Sequence, residues 1–349
     1  MPKTNGEQLE ALVAAFSIKS LPRSAAEISG DIPYEALEPH RTAALRELAL
    51  QMELPGFRKG HVPEPMALQK IGEMGLLEEA VEYLMREFYP ALIAEKKIDA
   101  VGRPSIRITK LVPGQPVSLV IETAVYPAIL IPENFRELTA RIPATAPEPV
   151  TESEFSKALE QLQQSRATKS EGGAEQIPEL NDEFAKSIGT FQSLEDLKAK
   201  LREGIAQEKA REARDKRRSA IIEALLQKIS IDMPELFIES EVERMLSQMR
   251  ADAARFGLEF NEYLKRIDKT EELLRTELRL PAEKRAKLQL VLNKIAQQEK
   301  IKASQEEIDR EFQHALAHYA DADQEALRTH VESILRNEKV LQMLEAKTE

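Results

Sequence analysis

Apolar residues along the chain fall into three regimes. From Ala14 to Ile32 they come in short runs around Leu21-Pro22-Arg23-Ser24. Ala15, Phe16 and Ile18 precede that break, and Ala26, Ile28 and Ile32 follow it. Short apolar runs on either side of a turn signal predict two strands. From Tyr34 to Met52 the spacing becomes helical, with Leu37, Ala44, Leu45, Leu48 and Met52 on one face. Leu54-Pro55-Gly56 ends that helix, because proline cannot continue the ladder and glycine frees the backbone. A short helix over Pro65–Ile71 and a longer one over Leu76–Lys97 follow; Leu77, Val81, Leu84, Met85, Phe88 and Leu92 stripe the latter. Gly102-Arg103-Pro104 reads as the break before two alternating strands, Ser105–Leu111 and Val117–Tyr126. The sum is a β-β-α-α-α-β-β unit, an α+β domain over residues 1–127.

The second regime, 128–149, carries Pro132, Pro143, Pro147 and Pro149 with little periodicity, which predicts an extended linker. The third, 150–349, is helical. An amphipathic helix over Val150–Arg166 leads into a polar link, Ala167–Gln176, and everything after Pro178 is helical: Leu194, Leu197, Leu201 and Ile205 form one stripe, and Ile221, Leu225 and Ile229 another. Between Ile205 and Ile221 the apolar side chains are all alanine, so that stretch has little to bury. An elongated all-α C-terminal domain with projecting helical arms is expected.

Composition removes several classes of function. Of 349 residues, 42% are hydrophobic and 31% charged, with 13 glycines, no tryptophan and no cysteine. Few glycines and aromatics disfavour an all-β sandwich, and the lack of cysteine removes disulfides, thiol nucleophiles and cysteine-ligated metals. A formal net charge of −11 gives no long-range attraction to phosphate backbones or anionic lipid. The apolar stretch Leu9–Ile18 contains Glu10 and is too short to span a membrane, so a cytoplasmic protein without a membrane partner is expected.

Catalytic motifs are missing: the chain has no G-x-S-x-G, Walker A, G-x-G-x-x-G or H-E-x-x-H pattern. His314 and His318 are four apart, as two ligands on a helix face would be, but no third ligand is evident, and no metal or cofactor is expected. The run Glu208–Arg218 is basic yet interspersed with acids, which reads as a solvated helix face rather than a nucleic-acid patch. The stretch Leu54–Pro63, LPGFRKGHVP, differs because it contains no acid. Phe57 offers an apolar anchor, Arg58 a forked donor and Lys59 a point charge, unless the loop is a plain helix-to-helix turn with Phe57 packed inward.

Gly56-Phe57-Arg58-Lys59-Gly60-His61-Val62-Pro63 resembles the G-F-R-x-G-x-x-P signature of trigger factor, the bacterial ribosome-associated chaperone family. Gly102-Arg103-Pro104, Val125-Tyr126-Pro127, Pro178–Ala185 and Ile231-Asp232-Met233-Pro234-Glu235 are similar to family segments in the same order. The resemblance implies an ATP-independent chaperone that docks at the ribosomal exit tunnel and shields nascent or unfolded polypeptides. Its ribosome-binding residues would be Gly56, Phe57, Arg58, Lys59, Gly60 and Pro63, meeting a protein and nearby RNA of the large subunit; free members can dimerise weakly.

Full-length relatives also carry an FK506-binding-protein-like prolyl isomerase domain where this chain has only 167–177, so no isomerase activity is expected. Met233, Phe237, Met245, Met249, Phe256 and Phe260 are candidate client-facing residues, with core packing the plainer role for each. Two other classes fit parts of the pattern: a helical scaffold or adaptor, and a periplasmic ATP-independent chaperone. Neither calls for the bracketed basic loop, and the second needs an export signal.

Overall fold

A computed structural model describes residues 6–55, 57–58, 60–144, 146–169, 175–318 and 323–346. In chain order, α1 (Gly6–Ala15) leads into β1 (Ser17–Leu21), β2 (Ala25–Ile32), α2 (Tyr34–Gln51), α3 (Glu64–Glu95), β3 (Ala100–Lys110) and β4 (Val117–Val125). Then come α4 (Phe135–Ala140), α5 (Glu152–Gln164), β5 (Thr168–Lys169), β6 (Glu175–Gln176), α6 (Asp182–Ile188) and α7 (Leu194–Lys228). The rest is α8 (Glu235–Arg255), α9 (Phe260–Arg266), α10 (Glu271–Gln298), α11 (Gln305–His318) and α12 (Gln324–Glu345). The α+β class is as expected. The compact units are not linear, however: Met1–Ile129 groups with Ile231–Lys287, and Leu130–Ser230 with Leu288–Glu349.

In the first unit β1, β2, β4 and β3 lie in that order as an antiparallel sheet. Alternation puts one isoleucine from each strand in a single row, Ile18–Ile28–Ile121–Ile106. The inner two are fully buried, whereas Ile18 and Ile106 stay 42% and 40% exposed, so the helix layer covers the sheet's middle and not its edges. Phe16 and Phe88 pack at 4.8 Å between the layers, and a side chain on Gly30 would press into the Phe16 ring. The β1–β2 turn holds Arg23 and Ser24 at φ 60° and 43°, unfavourable for non-glycine residues. Asp232 pins it: its carboxylate accepts the Arg23 and Ser24 N–H groups at 3.0 and 2.7 Å.

Two expectations change here and two hold. The helix α1 was not anticipated; it buries Leu12 and Val13 in the sheet's core. The two helices expected over Pro65–Ile71 and Leu76–Lys97 are both present within α3, parted at Gly72, whose φ of 79° and ψ of 163° are not helical, beside the Arg41–Glu73 ion pair. Gly102-Arg103-Pro104 does not end a helix but lies in β3, where the register shifts and Leu236 of α8 fills the space over Gly102. The helix ends where expected, at Lys97, whose left-handed φ of 53° lets Ile98 N–H donate to the Ile93 carbonyl at 2.9 Å.

The stretch Ile231–Lys287 adds α8, α9 and the first part of α10 to this unit. Charge ties α8 to α10: Arg275 pairs with Glu243 at 2.7 Å, and Arg279 with Glu235 and Glu239.

The second unit shows how strongly local capping acts. Thr151 and Glu154 form a capping box at the start of α5, and Asn181, Ser193 and Asp323 cap α6, α7 and α12. Phe184, Ala185 and Leu197 make a small core with Leu162, Leu180 and Phe191 against it. The linker expected over 128–149 contains the short helix α4, because Phe135 and Thr139 find buried positions that periodicity could not announce. The polar link Ala167–Gln176 begins and ends in two-residue strands that pair antiparallel. Within α7, buried positions cease between Leu197 and Ile221, as the alanine-only stretch implied.

Candidate functional site

The loop 54–63 is held from both ends. The helix α2 closes at Gln51, with Met52 N–H donating to the Leu48 carbonyl at 3.0 Å, and Pro63 opens α3 with its carbonyl accepting from Met66 and Ala67. Ala49, Val62 and Ala67 are buried together with Leu45, Met52, Leu54 and Ile71 against them, so the stems are clamped by a core of their own. Two reverse turns fold the crest: Phe57 N–H donates to the Leu54 carbonyl and His61 N–H to the Arg58 carbonyl, each at 3.0 Å. Gly60 turns the chain with φ 80°, a conformation that favours glycine.

Six residues were expected to act here. Of these, Gly56 and Lys59 lie outside the described residues. The structure brings Phe57, Arg58, Gly60 and Pro63 into one short crest. Phe57 does not pack inward; it is 36% exposed. Arg58 is exposed and makes no ion pair among the described residues. Val62 supplies the inward anchor instead. An apolar ring beside an accessible guanidinium can press on a hydrophobic surface while making forked hydrogen bonds to a carboxylate or phosphate.

Sequence reasoning missed Leu50 and Met66, which flank the crest at 62% and 40% exposure. Leu50 lies off the Leu37–Ala44–Leu48 stripe, and that was the available signal.

The other candidates separate. Met233 is buried, Phe237, Met245, Met249 and Phe260 are half-buried, and Phe256 is 82% exposed. In the run Glu208–Arg218, Lys209 pairs with Glu154, and Arg218 bridges Glu338 and Glu345. Lys209 and the Thr151 cap hold the Glu154 carboxyl at a pKa of about 2. Among the described residues no group of three or more His, Asp and Glu could hold a metal ion, and the side chain of His318 lies outside them. No helix among them is long and apolar enough to cross a membrane.

A family model described as bacterial trigger factor protein matches residues 14–162, and one described as its C-terminus matches 193–346, leaving 163–192 between them. The trigger factor of Caldicellulosiruptor bescii is 26% identical over 380 positions, covering 85% of this chain and 87% of its own. That of Streptomyces coelicolor is 24% identical, covering 84% and 79%, and that of a Nostoc species is 24% identical, covering 93% and 90%. A solved structure described under promiscuous substrate recognition by the trigger factor chaperone superposes with a TM-score of 0.53 over 95% of this chain and 100% of that one, at 18% identity, and so shares its fold. The chain belongs to the trigger factor family, the ribosome-associated chaperones that work without ATP.

Proposed function

We propose that this chain docks on the large ribosomal subunit at the tunnel exit through the crest at 56–63 and shields emerging polypeptides as they fold. The observation that carries the docking assignment is the pairing of an exposed Phe57 with an Arg58 that makes no ion pair among the described residues, on a clamped, acid-free loop of an otherwise acidic chain. Phe57 supplies apolar contact, Arg58 and Lys59 supply charge, Gly60 turns the crest, Pro63 sets the entry into α3, and Gly56 belongs to the same proposed site. Replacing Phe57, Arg58 and Lys59 together by alanine should abolish co-sedimentation with ribosomes while the thermal transition stays in place. Unchanged sedimentation refutes the loop assignment. Added salt should weaken binding, since exposed charges are screened over about 8 Å at physiological ionic strength.

The functional division follows the chain: residues 1–127 dock, 128–149 connect, and 150–349 handle clients in the cytoplasm. Clients are held by many weak contacts, without nucleotide, metal or cofactor. A weak homodimer off the ribosome belongs to the same reading. The chain is not a prolyl isomerase, a reading supported by the short stretch, 163–192, between the two family matches. A protease-coupled cis–trans assay should show turnover no faster than the blank; faster turnover overturns this part alone.

A further inference from the structure

The sheet of the first unit ends at β3, and that edge is unfinished. Between Ser105 and Lys110, β3 is bonded to β4 on one side, and no further strand among the described residues follows it on the other. Ile106 and Ile108 lie opposite Ile121 and Leu119, which are fully buried, so they sit on the core-facing side of the sheet. Ile106 is nevertheless 40% exposed. Beside it runs a groove of about 700 Å³ whose apolar walls are Val81, Met85 and Tyr89 of α3 with Ile106 and Ile108 of β3. Glu78 and Glu82 rim the helix side, and Arg86 and Arg103 complete the charged lining. Arg86 also lies over the Tyr83 ring at 4.4 Å.

The charges choose the occupant. The strand β3 carries Arg103, Arg107 and Lys110 and no acid. Arg107 reaches Glu122 only at 3.8 Å and keeps 65% of its side chain exposed. A second copy paired edge to edge would set these cations against themselves, which is how natural edges resist self-association. A foreign strand with acidic side chains between its apolar ones meets no such barrier. Its apolar face would complete the groove, its acids would face Arg103 and Arg107, and its backbone would pair with the open side of β3.

We infer that the groove between α3 and the outer edge of β3 binds an extended polypeptide segment of alternating apolar and acidic residues, which adds to the sheet beside β3. This goes beyond docking and involves no residue of the 56–63 crest.

The test uses the full chain and a blocked peptide of about six residues in which valine alternates with glutamate and threonine. Titration calorimetry should show saturable binding, and hydrogen exchange should slow at amides within Ser105–Lys110. N-methylation of the peptide nitrogens facing β3 should abolish binding. Ile106→Asp, at an exposed position, should weaken it by about tenfold or more. Arg107→Glu should weaken it too, and should favour a peptide with lysine in place of glutamate. Both variants should still sediment with ribosomes, which separates this site from the docking crest. Equal binding by the N-methylated peptide, tighter binding by a helical peptide of the same composition, or no binding at all overturns the inference.

Discussion

Two basic segments of this acidic chain came out differently. The run Glu208–Arg218 holds more cations than the crest at 54–63, yet Lys209 and Arg218 are committed to carboxylates of α5 and α12, and Arg217 donates to the Glu345 carbonyl at 2.8 Å. In the crest, Arg58 makes no ion pair among the described residues. A cation already bound to a carboxylate must lose that partner before meeting another, whereas a free one need only shed water. Accessible charge, rather than the count of cations, is therefore what distinguishes the proposed docking surface.

The comparison breaks most visibly with the triple alanine substitution of Phe57, Arg58 and Lys59, which should remove ribosome binding and leave stability unchanged. The mirror experiment is Arg218→Ala. It should keep ribosome binding but cost roughly 1–2 kcal/mol in urea denaturation, because Glu345, with a side chain only 15% exposed, and Glu338 lose a shared partner. That cost should depend on pH. The Arg218 hydrogen bond holds the Glu338 carboxyl below its ordinary 4.5, so the stabilisation is present above 4.5 and fades as pH falls through the lowered folded value. Wild type and Arg218→Ala should accordingly converge in acid; a constant gap would assign the loss to packing alone.

A smaller effect is expected from Gly60→Ala. Its φ of 80° puts about 1–2 kcal/mol of strain on an L side chain, and the crest should tilt. Ribosome affinity should fall several-fold with little change in melting temperature. Least of all should follow from Arg211→Ala, whose i,i+4 contact with Asp215 at 3.9 Å is exposed. Neither stability nor sedimentation should move beyond about 0.5 kcal/mol or its equivalent in affinity. A strong loss of ribosome binding there would restore the basic run as a docking surface.

Much of this was readable in advance, and the misses have identifiable causes. Strands β1, β2 and β4 and helix α2 follow from alternation, helical spacing and proline, and α5 and α7 from strong periodic stripes. The helix end at Lys97 follows from where the apolar stripe runs out, although lysine and not glycine, the usual signal, holds the left-handed position. Asp268 and Lys300 likewise follow helix ends in left-handed positions, at φ 54° each. Conversely, Gly102 looked like a stop but serves as a bulge that accommodates Leu236, more than a hundred positions away in the chain. The lack of acids and the bracketing glycines single out the crest, its resemblance to the family signature assigns it, and neither fixes the direction of Phe57.

By itself the sequence determined the class of elements, most of their order, the exclusion of cysteine and common catalytic-motif chemistry, and the place of the acid-free loop proposed for docking. These depend on residues within a turn or two of each other, where period, caps and proline act directly. Only the tertiary structure decided that Ile231–Lys287 joins the N-terminal sheet and that, among the described residues, Arg218 is ion-paired and Arg58 is not and no strand follows β3 at its outer edge. Each of these depends on partners far away in the chain, and burial or pairing of a side chain is a property of the pair, which local pattern cannot carry.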